Sequence, residues 1–122
     1  MILFIDDTRT HSPYKGEPDI IARSFEAGIK ILDALDIPLL ILDHDLGEDD
    51  SIDNLYTDGV KIHPVYRNGY GILQFLEQKP KSKRPAIIVL ATSNPVGRNR
   101  MEQILHNMGY IVSGDNSTFI RE

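Results

Sequence analysis

Two tight groups of carboxylates follow apolar runs in this chain. Asp6-Asp7 comes directly after residues 2–5, and Asp43-His44-Asp45 comes directly after residues 39–42. A single Asp after a strand is ordinarily a turn or cap residue. An adjacent pair on one run and a D-x-D on another are harder to explain that way, because clustered carboxylates repel one another unless a cation sits between them. Asp6, Asp7, Asp43 and Asp45 are therefore expected to gather at one sheet edge around a divalent metal. Hard oxygen ligands in open loops suit Mg²⁺ or Mn²⁺, which keep waters for a phosphate ligand. A third run, residues 86–90, ends in Ala91-Thr92-Ser93-Asn94-Pro95. A helix starting at Asn94-Pro95 offers backbone N–H groups to an anion, and Arg9 and Arg98 can grip phosphate oxygens bidentately. His44, between two carboxylates, is a candidate acid or base. His11 and His63 read as solvated loop residues, and His106 as a structural or solvent-facing helix residue.

Positioning such groups takes buried strands. Residues 2–5, 39–42 and 86–90 are short and apolar throughout, the pattern of strands covered on both faces in a parallel sheet. Residues 20–23 and 110–112 predict two weaker strands. Three helical patterns separate them. Ser24 caps one that carries Phe25, Gly28, Ile29, Leu32 and Leu35 on a single face. A second spans 71–79 and stops before Pro80. A third starts at Asn94-Pro95, carries Met101, Ile104, Leu105 and Met108, and stops at Gly109. The order β, β, α, β, α, β, α, β predicts one domain over 1–122: a five-stranded open parallel α/β sheet of flavodoxin-like type. Residues 6–19, with Pro13, Gly16 and Pro18, are too few for a crossover helix, so a loop replaces the first one. The long acidic segment 47–68 reads as a loop, and loops of that length in small domains are usually functional.

The 122 residues carry a net charge of −5, with 41% hydrophobic and 25% charged residues, enough apolar content for a packed core. The acidic balance argues against reading of DNA grooves or a broad nucleic-acid surface, which need a basic face. There is no cysteine, which excludes disulfides and thiolate chemistry and fits a reducing compartment. Without a targeting segment or an apolar run long enough to span a bilayer, the expectation is a cytoplasmic protein with no membrane partner.

Asp6-Asp7 with Asp43 resembles the receiver domains of bacterial response regulators, where such residues hold Mg²⁺ and the strand-end Asp accepts a phosphoryl group. Two features of those receivers are missing: the lysine ending the fifth strand, where this chain has Val112-Ser113-Gly114, and the first crossover helix. The chain more closely resembles the cyclic-phosphate-processing receiver-like family. Four blocks carry that likeness: Ile5-Asp6-Asp7-Thr8-Arg9, Leu42-Asp43-His44-Asp45-Leu46-Gly47, Asn68-Gly69-Tyr70, and Asn94-Pro95-Val96-Gly97-Arg98 leading to Met101. The resemblance implies a hydrolase acting on cyclic phosphates of nucleotides or RNA ends. Asp6, Asp7 and Asp43 would be its metal ligands, and Arg9, His44, Asp45, Asn94 and Arg98 would line its phosphate site beside Thr92 and Ser93. The family usually carries a His-Ser pair just before the Asn-Pro-Val-Gly block, and here Ala91, Thr92 and Ser93 stand instead.

Three readings follow. In the first, a metal-dependent phosphoesterase uses Asp43, His44 and Asp45 in catalysis. The second is a catalytically silent module that binds a nucleotide or a protein, favoured by the missing histidine. The third is a phosphoacceptor receiver with Asp43 as acceptor.

Overall fold

The computed structural model describes residues 1–9, 17–46, 52–57 and 60–122, with only the backbone described for 52–57 and 60–65. The first strand, β1 (Ile2–Ile5), pairs in parallel with β2 (Ile20–Ala22) on one side and β3 (Leu39–Leu42) on the other. Helix α1 (Phe25–Ala34) joins β2 to β3, and the Ser24 side chain accepts from Ala27 N at its start. After β3 come β4 (Ile52–Thr57) and β5 (Val60–Tyr66), then α2 (Gly69–Glu77), β6 (Ile87–Leu90), α3 (Pro95–Asn107), β7 (Tyr110–Val112) and β8 (Thr118–Arg121).

The main sheet runs β2-β1-β3-β6-β8-β7. All five expected strands are present and point the same way. β7 is parallel to β6 because each pairs antiparallel with the strand between them. That strand, β8, is the departure from five parallel strands: the sheet has six and is mixed. Its cause is a hairpin. Ser113-Gly114-Asp115-Asn116 turns the chain back after β7, with Asn116 at φ 60°, a left-handed conformation that Asn tolerates. β8 then fills the gap that the β6-α3-β7 crossover leaves open.

The segment 47–68 also differs from expectation. It holds an antiparallel pair, β4 with β5, whose register shifts between Asn54 and Tyr56. Pro64, which has no N–H to give, pairs opposite Asn54 beside that shift, where a missing donor costs least. Helix α2 begins two residues before the expected Gly71, because the Asn68 side chain accepts from Gly71 N and caps it.

Successive crossovers β2-α1-β3, β3-α2-β6 and β6-α3-β7 all advance in one direction across the sheet. Right-handed connections therefore place all three helices on one face. That face buries Leu3, Ile5, Leu40, Leu42, Ile88, Leu90 and Phe119 against Phe25, Ile29, Ile72, Phe75, Met101 and Leu105. Each such side chain contributes roughly 1.5–3 kcal/mol of burial, so this layer fixes the helices whose starts border the strand ends. The step from β1 back to β2 runs the other way and carries no helix among the described residues. The opposite face is formed by Phe4, Ile41, Val89 and Ala91, flanked by Ile2, Leu39 and Ile87.

Candidate functional site

The register of three parallel strands builds the site. Ile5 pairs with Leu42 and Leu42 with Leu90, so the next residues, Asp6, Asp43 and Ala91, stand side by side beyond the sheet. Backbone bonds hold them there: Asp43 N donates to Ile5 O at 3.1 Å and Ala91 N to Leu42 O at 2.9 Å.

Asp6, Asp7 and Asp43 each offer a carboxylate oxygen within 4.8 Å of the others. Asp6 is fully buried. Its Oδ1 accepts from Thr8 N at 2.9 Å and Arg9 N at 2.8 Å, while its Oδ2 is buried and makes no hydrogen bond among the described residues. Arg9 Nε stands 3.7 Å from that oxygen. A buried carboxylate oxygen without a donor is costly, and a cation shared with Asp7 and Asp43 would satisfy it. Asp43 carries the strain of the cluster in its ionisation. Burial, with the neighbouring Asp6 charge, pushes its carboxyl up from 3.8 to about 6, against the lowering effects of its bond from His44 N and of Arg9. The residues present fit a divalent metal on these grounds.

His44 lies deeper than a surface histidine, at 3% exposure. Its Nδ1 sits 2.9 Å from Asp45 Oδ1, with Asn94 Nδ2 at 3.4 Å, and its Nε2 is buried with no hydrogen-bond partner among the described residues. The ring packs beneath the first turn of α3, where a Cβ on Gly97 would fall 2.4 Å from it. Gly69 serves likewise at the start of α2, since a Cβ there would meet the Asp43 carbonyl oxygen at 2.2 Å. The Gly in each of the Asn-Gly-Tyr and Asn-Pro-Val-Gly blocks therefore lets a helix start press against the Asp43-His44 backbone or ring. Asp45 is the solvent-facing partner, its side chain 64% exposed.

Arg9 reaches across the strand ends, its Nη1 donating to Ala91 O at 2.7 Å, and Arg23 Nη1 donates to the Arg9 carbonyl at 2.6 Å. Arg98 is engaged elsewhere. Its Nη2 donates to Asn116 O and, at 2.9 Å, to Ser117 Oγ, and its Nε faces Glu102 at 3.6 Å. Asn94 caps α3 through Oδ1, accepting from Gly97 N at 3.0 Å, and Thr92 Oγ1 accepts from Asn94 N. Arg9, Thr92, Ser93 and Arg98 line one cleft of about 420 Å³. The structure thus brings the expected residues to one sheet edge in two adjoining parts, the triad with His44 and Asn94 and the cleft beyond Arg9; Asp45, expected around the metal as well, stands outside the triad and pairs with His44 instead. His11 lies outside the described residues, and of His63 only the backbone is described. His106 is exposed on α3, its ring edge-on to Phe119 at 5.9 Å.

Sequence reasoning missed the turn that completes the cleft: Asp115, Ser117 and Thr118 line it as well. The signal was present in Ser113-Gly114-Asp115-Asn116, a turn cluster between two β-forming triplets. Asp115 holds the turn. Its Oδ1 accepts from Ser117 N, Thr118 N and Ser113 Oγ at 2.8–2.9 Å, and its Oδ2 from Thr118 Oγ1 at 2.7 Å. These donors hold the carboxyl well below the usual carboxylate range.

Neither the comparison with curated proteins nor that with solved structures gives a match. Among the described residues, no helix is long and apolar enough to cross a membrane. Residues 1–107 match the family described as the cyclic-phosphate processing receiver domain, a span that covers the acidic triad, His44, Asp45 and the capped start of α3. The chain belongs to that receiver-like family.

Proposed function

We propose that the domain is a divalent-metal-dependent phosphoesterase that opens cyclic phosphates of nucleotides or RNA ends. The observation that carries this reading is the triad Asp6, Asp7 and Asp43, with a buried Asp6 oxygen that lacks a donor and an Asp43 carboxyl displaced upward. These three carboxylates would hold Mg²⁺ or Mn²⁺, which when bound polarises a phosphoryl oxygen and acidifies water.

The chain's own residues do the rest. Arg9, beside Asp6 and anchored on the Ala91 carbonyl, binds and orients the phosphate. Thr92 and Ser93 bring hydroxyls to the same edge. Asp45 takes the proton of the attacking water, because its carboxylate is exposed while the imidazole of its partner is buried. The water oxygen bonds to phosphorus, one ring P–O bond breaks, and the departing oxygen takes a proton from solvent. His44 and Asn94 position Asp45 through Oδ1.

A second reading, a silent nucleotide-binding module, is favoured by Ala91 standing in register with Asp43 and by the burial of His44. Metal-dependent hydrolysis across 2′,3′-, 3′,5′- and 1″,2″-cyclic phosphates, with Asp43→Ala as control, separates the two. Turnover that disappears in the variant supports the phosphoesterase. Metal and nucleotide binding without product supports the module and overturns the first reading.

A further inference from the structure

We infer that the cleft between Arg9 and the β7–β8 turn is the nucleoside subsite, the place where the base and sugar of the nucleotide substrate bind. This rests on the proposed nucleotide substrate and adds which residues receive its base. The cleft, at about 420 Å³, falls in the range that small-molecule ligands occupy. Its lining includes Val89 and Ala91, apolar residues of the sheet face opposite the helices.

Arg9 enters the cleft from the β1 side of β6, next to the triad, while the far wall on the β8 side carries both Asp115 and Arg98. A phosphate suits the Arg9 end. At the other end the Arg98 and Asp115 charges offset one another, so no net charge calls for a second ionic group there and a neutral sugar and base suits it. The far wall is also pre-formed. Asp115 fixes the turn through four accepted hydrogen bonds, Ser117 O accepts from Leu90 N at 2.9 Å, and Arg98 is strapped to Asn116 O and Ser117 Oγ. A guanidinium held in place by its own hydrogen bonds offers a planar surface for stacking at little ordering cost. Ser117, while accepting from Arg98, still has a hydroxyl proton to donate. The family match ends at residue 107, so this wall belongs to the part of the chain beyond it.

The test is backbone amide chemical-shift mapping of the full chain with Mg²⁺. Adenosine 2′,3′-cyclic phosphate is compared with a methyl riboside 2,3-cyclic phosphate that lacks the base. Both compounds are expected to shift the amides of Arg9 and of residues 91–93. The nucleotide alone should shift Ser117 and Thr118, and it should bind about tenfold more tightly, the lower range for stacking of one base. Ser117→Tyr, which fills the cleft, should cost the nucleotide more affinity than it costs the base-free ring, provided its amide spectrum stays folded. Equal affinity of the two compounds for the wild-type chain, or unmoved Ser117 and Thr118 amides with the nucleotide, overturns the subsite. Absence of turnover with these shifts intact overturns the phosphoesterase reading and leaves the subsite standing.

Discussion

Two aspartates at the same sheet edge show opposite solutions to holding a negative charge. Asp115 is fully exposed, yet it is surrounded by donors from its own turn, and its carboxyl is pulled well below the usual range. Asp43 is half-buried next to Asp6, with one close donor in His44 N, and its carboxyl is pushed up to about 6. The turn at Asp115 is electrostatically complete, so its carboxylate acts on the backbone that it folds. In the triad, by contrast, one buried Asp6 oxygen has no hydrogen-bond partner among the described residues. Exposure alone would have ranked these groups the wrong way round. The presence or absence of donors separates a carboxylate satisfied by its own turn from a cluster suited to a cation.

The strongest way to break this contrast is to remove a triad carboxylate. Asp6→Ala or Asp43→Ala should reduce Mg²⁺ or Mn²⁺ affinity by at least about a hundredfold, beyond what loss of an outer-shell partner costs. Isothermal titration with Mn²⁺ reads this directly. Asp115→Ala should leave metal affinity within about twofold, since Asp115 is not among the three carboxylates that converge. A comparable loss in both variants would abolish the distinction.

Packing sharpens the same comparison. Gly97→Ala places a methyl 2.4 Å from the buried His44 ring, so ring or helix must move. Overpacking of this kind costs roughly 1–3 kcal/mol. Gly114→Ala, in the turn, meets nothing within 4 Å and should change stability by less than about 0.5 kcal/mol. Chemical denaturation measures both. A His44→Ala change made together with Gly97→Ala should recover part of the loss, because it removes the obstructing ring.

Much of the triad side was legible in the sequence, because register carries it. Three apolar runs covered on both faces had to be parallel strands, and the residues just after them had to meet beyond the sheet. Asp6, Asp43 and Ala91 do so. The caps were equally plain, since Ser24 and Asn94 with Pro95 are local signals that need no tertiary context. The turn side was less legible. β8 is four residues long with no periodicity to betray it, and its place between β6 and β7 depends on a gap that only the assembled crossovers create. The hairpin in 47–68 was obscured by the segment's acidic residues. The depth of His44 escaped for a similar reason: nothing local reveals that α3 begins on top of it, although the Gly at 97 is what permits that approach.

The two aspartates are also separated by pH. In the metal-free protein the Asp43 carboxyl titrates at about 6 in the folded state against 3.8 ordinarily, so the fold binds its proton more tightly than the unfolded chain does. Its favourable contribution is complete below about pH 4 and is lost as pH rises through about 6. At pH 7 the metal-free Asp43→Asn variant should therefore be more stable than the parent by about 1 kcal/mol, less than the full shift would give because water screens a half-exposed group. That advantage should fade between pH 6 and 4 and reverse when Mg²⁺ is added, which stabilises the parent alone. Asp115 has the opposite sign. Its lowered carboxyl stabilises the fold at all pH values above the ordinary range and loses that effect only as pH falls below it. Asp115→Asn should therefore destabilise at pH 7, by an amount that stays level between pH 7 and 5 and is indifferent to Mg²⁺. Thermal melts of the parent and both variants across that range, with and without the ion, test the pair together. If Asp43→Asn destabilises the metal-free protein at pH 7, the triad is satisfied from within the chain and the proposal that it holds a cation falls.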